Sequence, residues 1–203
     1  KDGDDKKIRG TASIGLISSK VQLEGPVIKE KTTFNVSLRR TYLDILARPI
    51  IKLAKSKEKS GGVNAAGYYF YDINTKFTHK LSEKDKLYLS TYFGNDAIYM
   101  NTEDGSDYSD NIETRKFTKF DWNWGNAIAS LRWNRILNNK LFMNTTTSFT
   151  RYRSALGSGY ESVSRDISVP NQIQKNEETQ LTYHSGIRDW TVKTDFDFTP
   201  NVN

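Results

Sequence analysis

Apolar and polar side chains alternate along several segments of this chain. In Phe34–Arg39 every second residue is Phe, Val or Leu, and in Trp190–Phe198 Trp, Val, Thr and Phe alternate with Thr, Lys and Asp. Successive side chains of a β-strand point to opposite faces, so each segment has one apolar and one polar face. A sheet built from such strands requires either a packed protein core or lipid against its apolar face.

The pattern predicts an all-β fold, an antiparallel up-and-down meander of about eight strands. Frequent Tyr, Phe and Thr favour strands over helices. The predicted strands are 7–16, 18–27, 32–46, 67–80, 86–99, 118–137, 141–153 and 185–199. Short turns are predicted near Lys29, Lys84 and Asn138, and long polar loops over 47–66, 100–116 and 154–183. Alternate connections of a meander lie at the same end, so this arrangement is typical of a transmembrane β-barrel.

Charged residues avoid the predicted apolar face in mid-strand. In the fourth predicted strand one face carries Tyr69, Tyr71, Ile73 and Phe77, and the other carries Asp72, Asn74, Lys76 and Thr78. Lys or Arg facing lipid at the bilayer midplane costs about 2–4 kcal/mol. Aromatic residues near strand ends, at Tyr68–Tyr71 and Trp133, fit interfacial girdles. They also fit an ordinary β core, so the pattern alone leaves a soluble β-sandwich open.

Composition excludes several classes of chemistry. The chain has 203 residues and no cysteine, which excludes disulfides, thiolate catalysis and cysteine-based zinc sites. No apolar run approaches the roughly 20 residues of a membrane helix. The first residue is Lys1, without an initiator Met or signal peptide. We therefore expect a processed chain or a piece of a longer one.

No arrangement of residues predicts catalysis, a cofactor or a metal. His79 and His184 have no ligand partner at helical or hairpin spacing. The acidic stretch 104–110 lacks the Glu that an EF-hand loop requires, and no phosphate-binding glycine motif occurs. The 30 basic and 24 acidic residues are spread along the chain, so no nucleic-acid partner is predicted.

A collinear set of short motifs resembles a known family. The set comprises Gly15–Lys20, Leu23–Pro26, Arg39–Tyr42, Tyr69–Asn74, Tyr92–Asp96, Trp124–Asn126, Arg132–Asn134 and Ile187–Asp189. In this order they resemble the start of the β-barrel of TonB-dependent outer-membrane receptors of Gram-negative bacteria. The resemblance is to the group whose plug domain follows a carboxypeptidase-regulatory-like domain, and it covers nearly the whole chain.

The resemblance implies a domain division and a function. Residues 1–6 would end the plug domain, and 7–203 would form the N-terminal portion of a larger transmembrane β-barrel of about 22 strands. It implies import of a scarce nutrient, such as a ferric siderophore, cobalamin or an oligosaccharide, across the outer membrane. The implied partners are outer-membrane lipid and lipopolysaccharide, the protein's own plug, the TonB complex and a surface lipoprotein.

Polar residues on the predicted strands are candidates to line the barrel lumen and to contact substrate or plug. They are Arg39, Asp72, Lys76, Tyr92, Asn126, Arg132, Lys193 and Asp195. The basic cluster Lys52, Lys55, Lys57 and Lys59 is either a solvated face or a contact for lipopolysaccharide phosphates. Two alternatives stay open. One is a soluble β-sandwich that binds carbohydrate on exposed Trp and Tyr, and the other is a barrel enzyme, which would need a nucleophile and a base at one rim.

Overall fold

The computed structural model describes residues 2–55, 61–169 and 173–200, in which one antiparallel sheet contains all the strands. The eight strands pair in chain order: β1 Arg9–Ile14, β2 Ser18–Ile28, β3 Thr32–Thr41, β4 Gly62–Lys80, β5 Asp85–Ser109, β6 Ile112–Asn138, β7 Leu141–Asp166 and β8 Ile173–Phe198. One helix, α1, Leu43–Lys55, connects β3 and β4. The sheet is open, since β1 and β8 do not pair within the described ranges. The predicted all-β up-and-down meander is confirmed.

The cross-strand register aligns the apolar positions of successive strands. One row of directly opposed residues runs through Phe34, Phe77, Leu89, Leu131, Thr147 and Val192. We call the face that carries this row the apolar face. Because the side-chain period of a strand is two, the neighbouring residues form the opposite, polar face.

The apolar face is not sealed by a second sheet. Leu131 is 48% and Val192 72% exposed, and Ala97 is the only buried hydrophobic residue in the described part of the chain. The sheet is therefore held chiefly by its hydrogen-bonded ladders and by cross-strand side-chain pairs. This arrangement differs from a β-sandwich, in which two apolar faces interdigitate.

Two of the predicted long loops are wrong, because the strands continue through them. β5 and β6 are joined by the two residues Asp110 and Asn111, whose φ angles of 45° and 67° match a type I′ hairpin turn. β7 continues to Asp166, and β8 begins at Ile173. The segments 100–116 and most of 154–183 are rich in polar residues, so their composition resembles that of loops although they form paired strands. Each strand supplies the other's hydrogen-bond partners.

The predicted third strand, 32–46, is also wrong at its end. β3 stops at Thr41, and the backbone N–H groups of Ile45 and Leu46 donate to the carbonyl of Tyr42 at 3.0 and 3.1 Å. α1 thus replaces the first part of the predicted loop 47–66, and β4 begins five residues earlier than predicted, at Gly62.

The ends of α1 suit the helix dipole. Asp44 lies in its first turn, and Lys52 and Lys55 lie in its last. Lys57 and Lys59 of the predicted basic cluster lie outside the described residues. No helix within the described ranges is long and apolar enough to span a bilayer.

Candidate ligand-binding face

The register places all eight predicted lining residues on the polar face. Arg39, Asp72 and Asn126 occupy one row across β3 to β6, and Tyr92 and Lys76 occupy the next two rows toward the short turns. Arg132 and Lys193 share a further row, and Asp195 lies beyond it. The sheet does not gather them into one site: seven of them form three separate groups, and Asn126 lies on β6 in the same row as Asp72.

The first group is centred on an ion pair between β3 and β4. The Nε and Nη2 atoms of Arg39 lie 2.7 and 2.6 Å from Oδ2 of Asp72, and Asn74 Nδ2 donates to Asp72 Oδ1 at 3.2 Å. Asp72 is buried, whereas the Arg39 side chain is half exposed. The ring of Tyr92 lies beside Gly94, where a Cβ would come within 2.7 Å of Tyr92 Cζ. Arg39 can therefore meet a ligand while Asp72 holds it in place.

The second group binds the start of the chain. Lys76 Nζ lies 2.6 Å from Asp2 Oδ1, and the carbonyl of Asp5 accepts a hydrogen bond from the N–H of Glu30 at 3.3 Å. Lys76 and Arg132 both stand over the ring of Tyr88, at 5.2 and 4.4 Å from its centroid. The segment 2–5 therefore crosses the polar face near the short turns.

The third group lies on β8. Lys193 Nζ is 2.9 Å from Asp195 Oδ2, and both side chains are exposed. β3 and β8 are separated by five strand spacings, a distance of roughly 24 Å across the sheet in the direction perpendicular to the strands. This pair is therefore too far from Arg39 to contact the same small ligand.

Sequence reasoning missed an aromatic patch formed by Tyr68, Phe70, Trp122 and Trp124. Their positions on β4 and β6 put all four on the polar face, one and two rows beyond Asp72. Tyr68 stacks on Trp124 with centroids 6.5 Å apart and an interplanar angle of 23°. The ring centroids of Trp122 and Trp124 are 4.6 Å apart. Trp122 remains 40% exposed, so the patch offers an aromatic surface beside polar groups.

Polar groups hold the patch and link it to the first group. Tyr68 Oη donates to Asp96 Oδ1 at 2.7 Å, and Trp122 Nε1 donates to Ser154 Oγ at 2.8 Å. The Arg39 guanidinium lies 4.8 Å from the centroid of Phe70. Such a surface suits a ligand that has a flat or apolar ring together with hydroxyl groups. The ring would stack on the aromatic side chains, and the hydroxyl groups would donate hydrogen bonds to carboxylate oxygens.

A signal for this patch was present in the sequence. Tyr68 and Phe70 share the parity of Asp72, and Trp122 and Trp124 share the parity of Asn126. The residues Tyr68–Tyr71 do not form one interfacial girdle. Tyr69 and Tyr71 lie on the apolar face, whereas Tyr68 and Phe70 lie on the polar face.

No metal centre emerges from the described ranges, in which no three His, Cys, Asp or Glu residues are grouped to hold an ion. His79 Nδ1 lies 2.7 Å from Thr32 Oγ1.

Comparison with protein-family models, with curated proteins and with solved structures finds no match for this chain.

Proposed function

We propose that this chain is part of the barrel of a TonB-dependent receptor that imports a scarce nutrient across the outer membrane. In this proposal the apolar face contacts acyl chains and the polar face lines the lumen. The observation that carries it is the row from Phe77 to Val192, whose apolar members are 39–72% exposed and which a soluble protein would bury.

The extent of the apolar face supports a lipid neighbour. On β8 its apolar positions run from Trp190 to Phe198 and end where Arg188 takes the same face. A tilted transmembrane strand needs about 9–11 residues to cross the hydrocarbon layer. Beyond this band, the hairpins β5–β6 and β7–β8 continue as polar strands, as extracellular hairpins of an outer-membrane barrel do.

The polar face supports a role in import. The segment 2–5 enters across this face, as the end of a plug inside a lumen would. Farther along the strands, the aromatic patch, Asp96 and Arg39 would contact the nutrient. Stacking and hydroxyl recognition favour an oligosaccharide or a siderophore with aromatic rings.

The aromatic patch taken alone also fits a soluble carbohydrate-binding module, which is the second candidate. The two functions differ in what covers the apolar face. A module would pack Leu131 and Val192 against a second sheet, and both are exposed here.

Cell fractionation and growth assays test the proposal. The gene product should partition with outer membranes and should migrate faster on denaturing gels when it is not heated. Deletion of the gene should abolish growth on one limiting iron, cobalamin or glycan source, and the intact gene should restore it. Recovery of the protein in the soluble periplasmic fraction, with normal growth of the deletion strain on every source, would refute it.

A further inference from the structure

α1 lies on the apolar side of the sheet. Gly67 shares the parity of Tyr69, so a Cβ there would point out of the apolar face, where it would come within 2.9 Å of Asp44 Cβ. Arg40 follows Leu38 on the same face, and its Nη2 atom lies 3.7 Å from Asp44 Oδ2. At the other end of the helix, Lys55 Nζ is 3.4 Å from Glu103 Oε2. The helix is therefore docked just beyond the apolar band.

The helix directs charged groups to the sheet and apolar side chains outward. Asp44 is 5% exposed, and Lys55 also donates to Asn64 of β4. The outward side carries the exposed residues Ile45, Leu46, Ile50 and Leu53, with Ile50 69% exposed. A surface helix of a water-soluble protein does the opposite, since its apolar stripe faces the core. The reversed orientation indicates an apolar medium on the outer side of the helix.

Basic residues mark the same level on the apolar face. We call Arg40, Arg151, Arg153 and Arg188 the arginine rim, because they follow directly where the apolar band ends. Arg151 and Arg188 stand directly opposite each other, an arrangement that is unfavourable unless an anion compensates it. Lys52 and Arg48 add exposed positive charge on α1. The charge at this level complements a layer of lipid phosphates.

We propose that α1 is an interfacial helix that lies in the membrane plane and inserts its outward side between the headgroups and acyl chains of the leaflet. This inference depends on the proposed function, because the helix continues the face that we assign to lipid. Interfacial helices of this kind enter about 5–10 Å into the headgroup boundary and bind anionic lipid through flanking Lys and Arg. The helix would fix the height of the barrel in the outer leaflet.

Spin labelling of single cysteines tests this inference, and the chain has no cysteine of its own. The full gene product, with any cysteine outside these 203 residues replaced by serine, is reconstituted in vesicles of phosphatidylethanolamine and phosphatidylglycerol. Labels are placed by Ile50→Cys on the outward side and by Lys52→Cys on the polar flank of the same helix. Leu131→Cys reports on the apolar band. The measurement is the ratio of collision rates with oxygen, which concentrates in lipid, and with a nickel chelate, which stays in water.

The expected result is an oxygen-to-nickel ratio several-fold higher at Ile50→Cys than at Lys52→Cys, and highest at Leu131→Cys. Equal, water-like ratios at both helix positions with a lipid-like Leu131→Cys would overturn the interfacial helix alone. Low access of both reagents to Ile50→Cys would also overturn it, since a protein surface would then cover the helix. A water-like Leu131→Cys would refute the proposed function as well.

Discussion

Replacing Leu131 by arginine measures what lies against the apolar face. Leu131 lies near the middle of the apolar stretch of β6, between Ala127 and Trp133. If lipid surrounds it, Leu131→Arg should cost about 2–4 kcal/mol, or roughly a 30- to 900-fold loss in the folding equilibrium. If water surrounds it, the cost is that of a half-exposed leucine, about 1 kcal/mol or less.

The adjacent residue provides a matched control. Ser130 lies on the same strand but on the polar face, so Ser130→Arg should change the free energy of unfolding by less than about 0.5 kcal/mol. Both variants are measured by urea titration of the protein folded into vesicles, with tryptophan fluorescence as the signal. Equal shifts for the two variants would show that the apolar face does not meet hydrocarbon, and the proposed function would be lost.

Three more perturbations address the polar face and a hairpin tip. Asp72→Asn should destabilise the protein by about 1 kcal/mol in the same titration, because half-exposed Arg39 loses its charged partner; an unchanged midpoint would contradict this. Trp122→Ala should weaken nutrient binding by about tenfold, measured by calorimetry, with little change in stability; unchanged affinity would remove the aromatic patch from the binding site. A hydrogen bond from Arg115 lowers the pKa of Glu113 below its ordinary 4.5, so their pairing stabilises the β5–β6 tip above that pH and is lost as pH falls through the lowered pKa; amide exchange, corrected for intrinsic rates, should then accelerate at the tip, but not in Glu113→Gln.

The division of the sheet into two faces could be predicted from the sequence, because strand side chains alternate with a period of two. A short turn then sets the register of each hairpin, and a slip of one residue would reverse both faces. The alternation assigns Phe34, Phe77 and Val192 to the apolar side of their strands, and the register confirms that these three residues lie on one face of the sheet. The lumen-lining role of the polar residues remains a prediction.

Strand length depended on pairing between distant segments. The Gly-, Ser- and Asp-rich segments around 104–110 and 157–159 have the composition of loops, since neither face of their hairpins is apolar. They form strands because a neighbouring strand supplies hydrogen-bond partners for their backbone N–H and C=O groups. Local composition does not predict this long-range pairing.

What the sequence alone determined was the β class, the chain-order meander and the composition of each face, all of which follow from periodicity along one strand. The tertiary structure decided which residues meet across strands and on which side α1 lies. The absence of a side chain at Gly67 lets Asp44 approach the sheet, and Trp124 stacks on Tyr68 only because β4, β5 and β6 pair in this register. Such contacts join residues far apart in the chain, so their geometry exists only once the strands have paired.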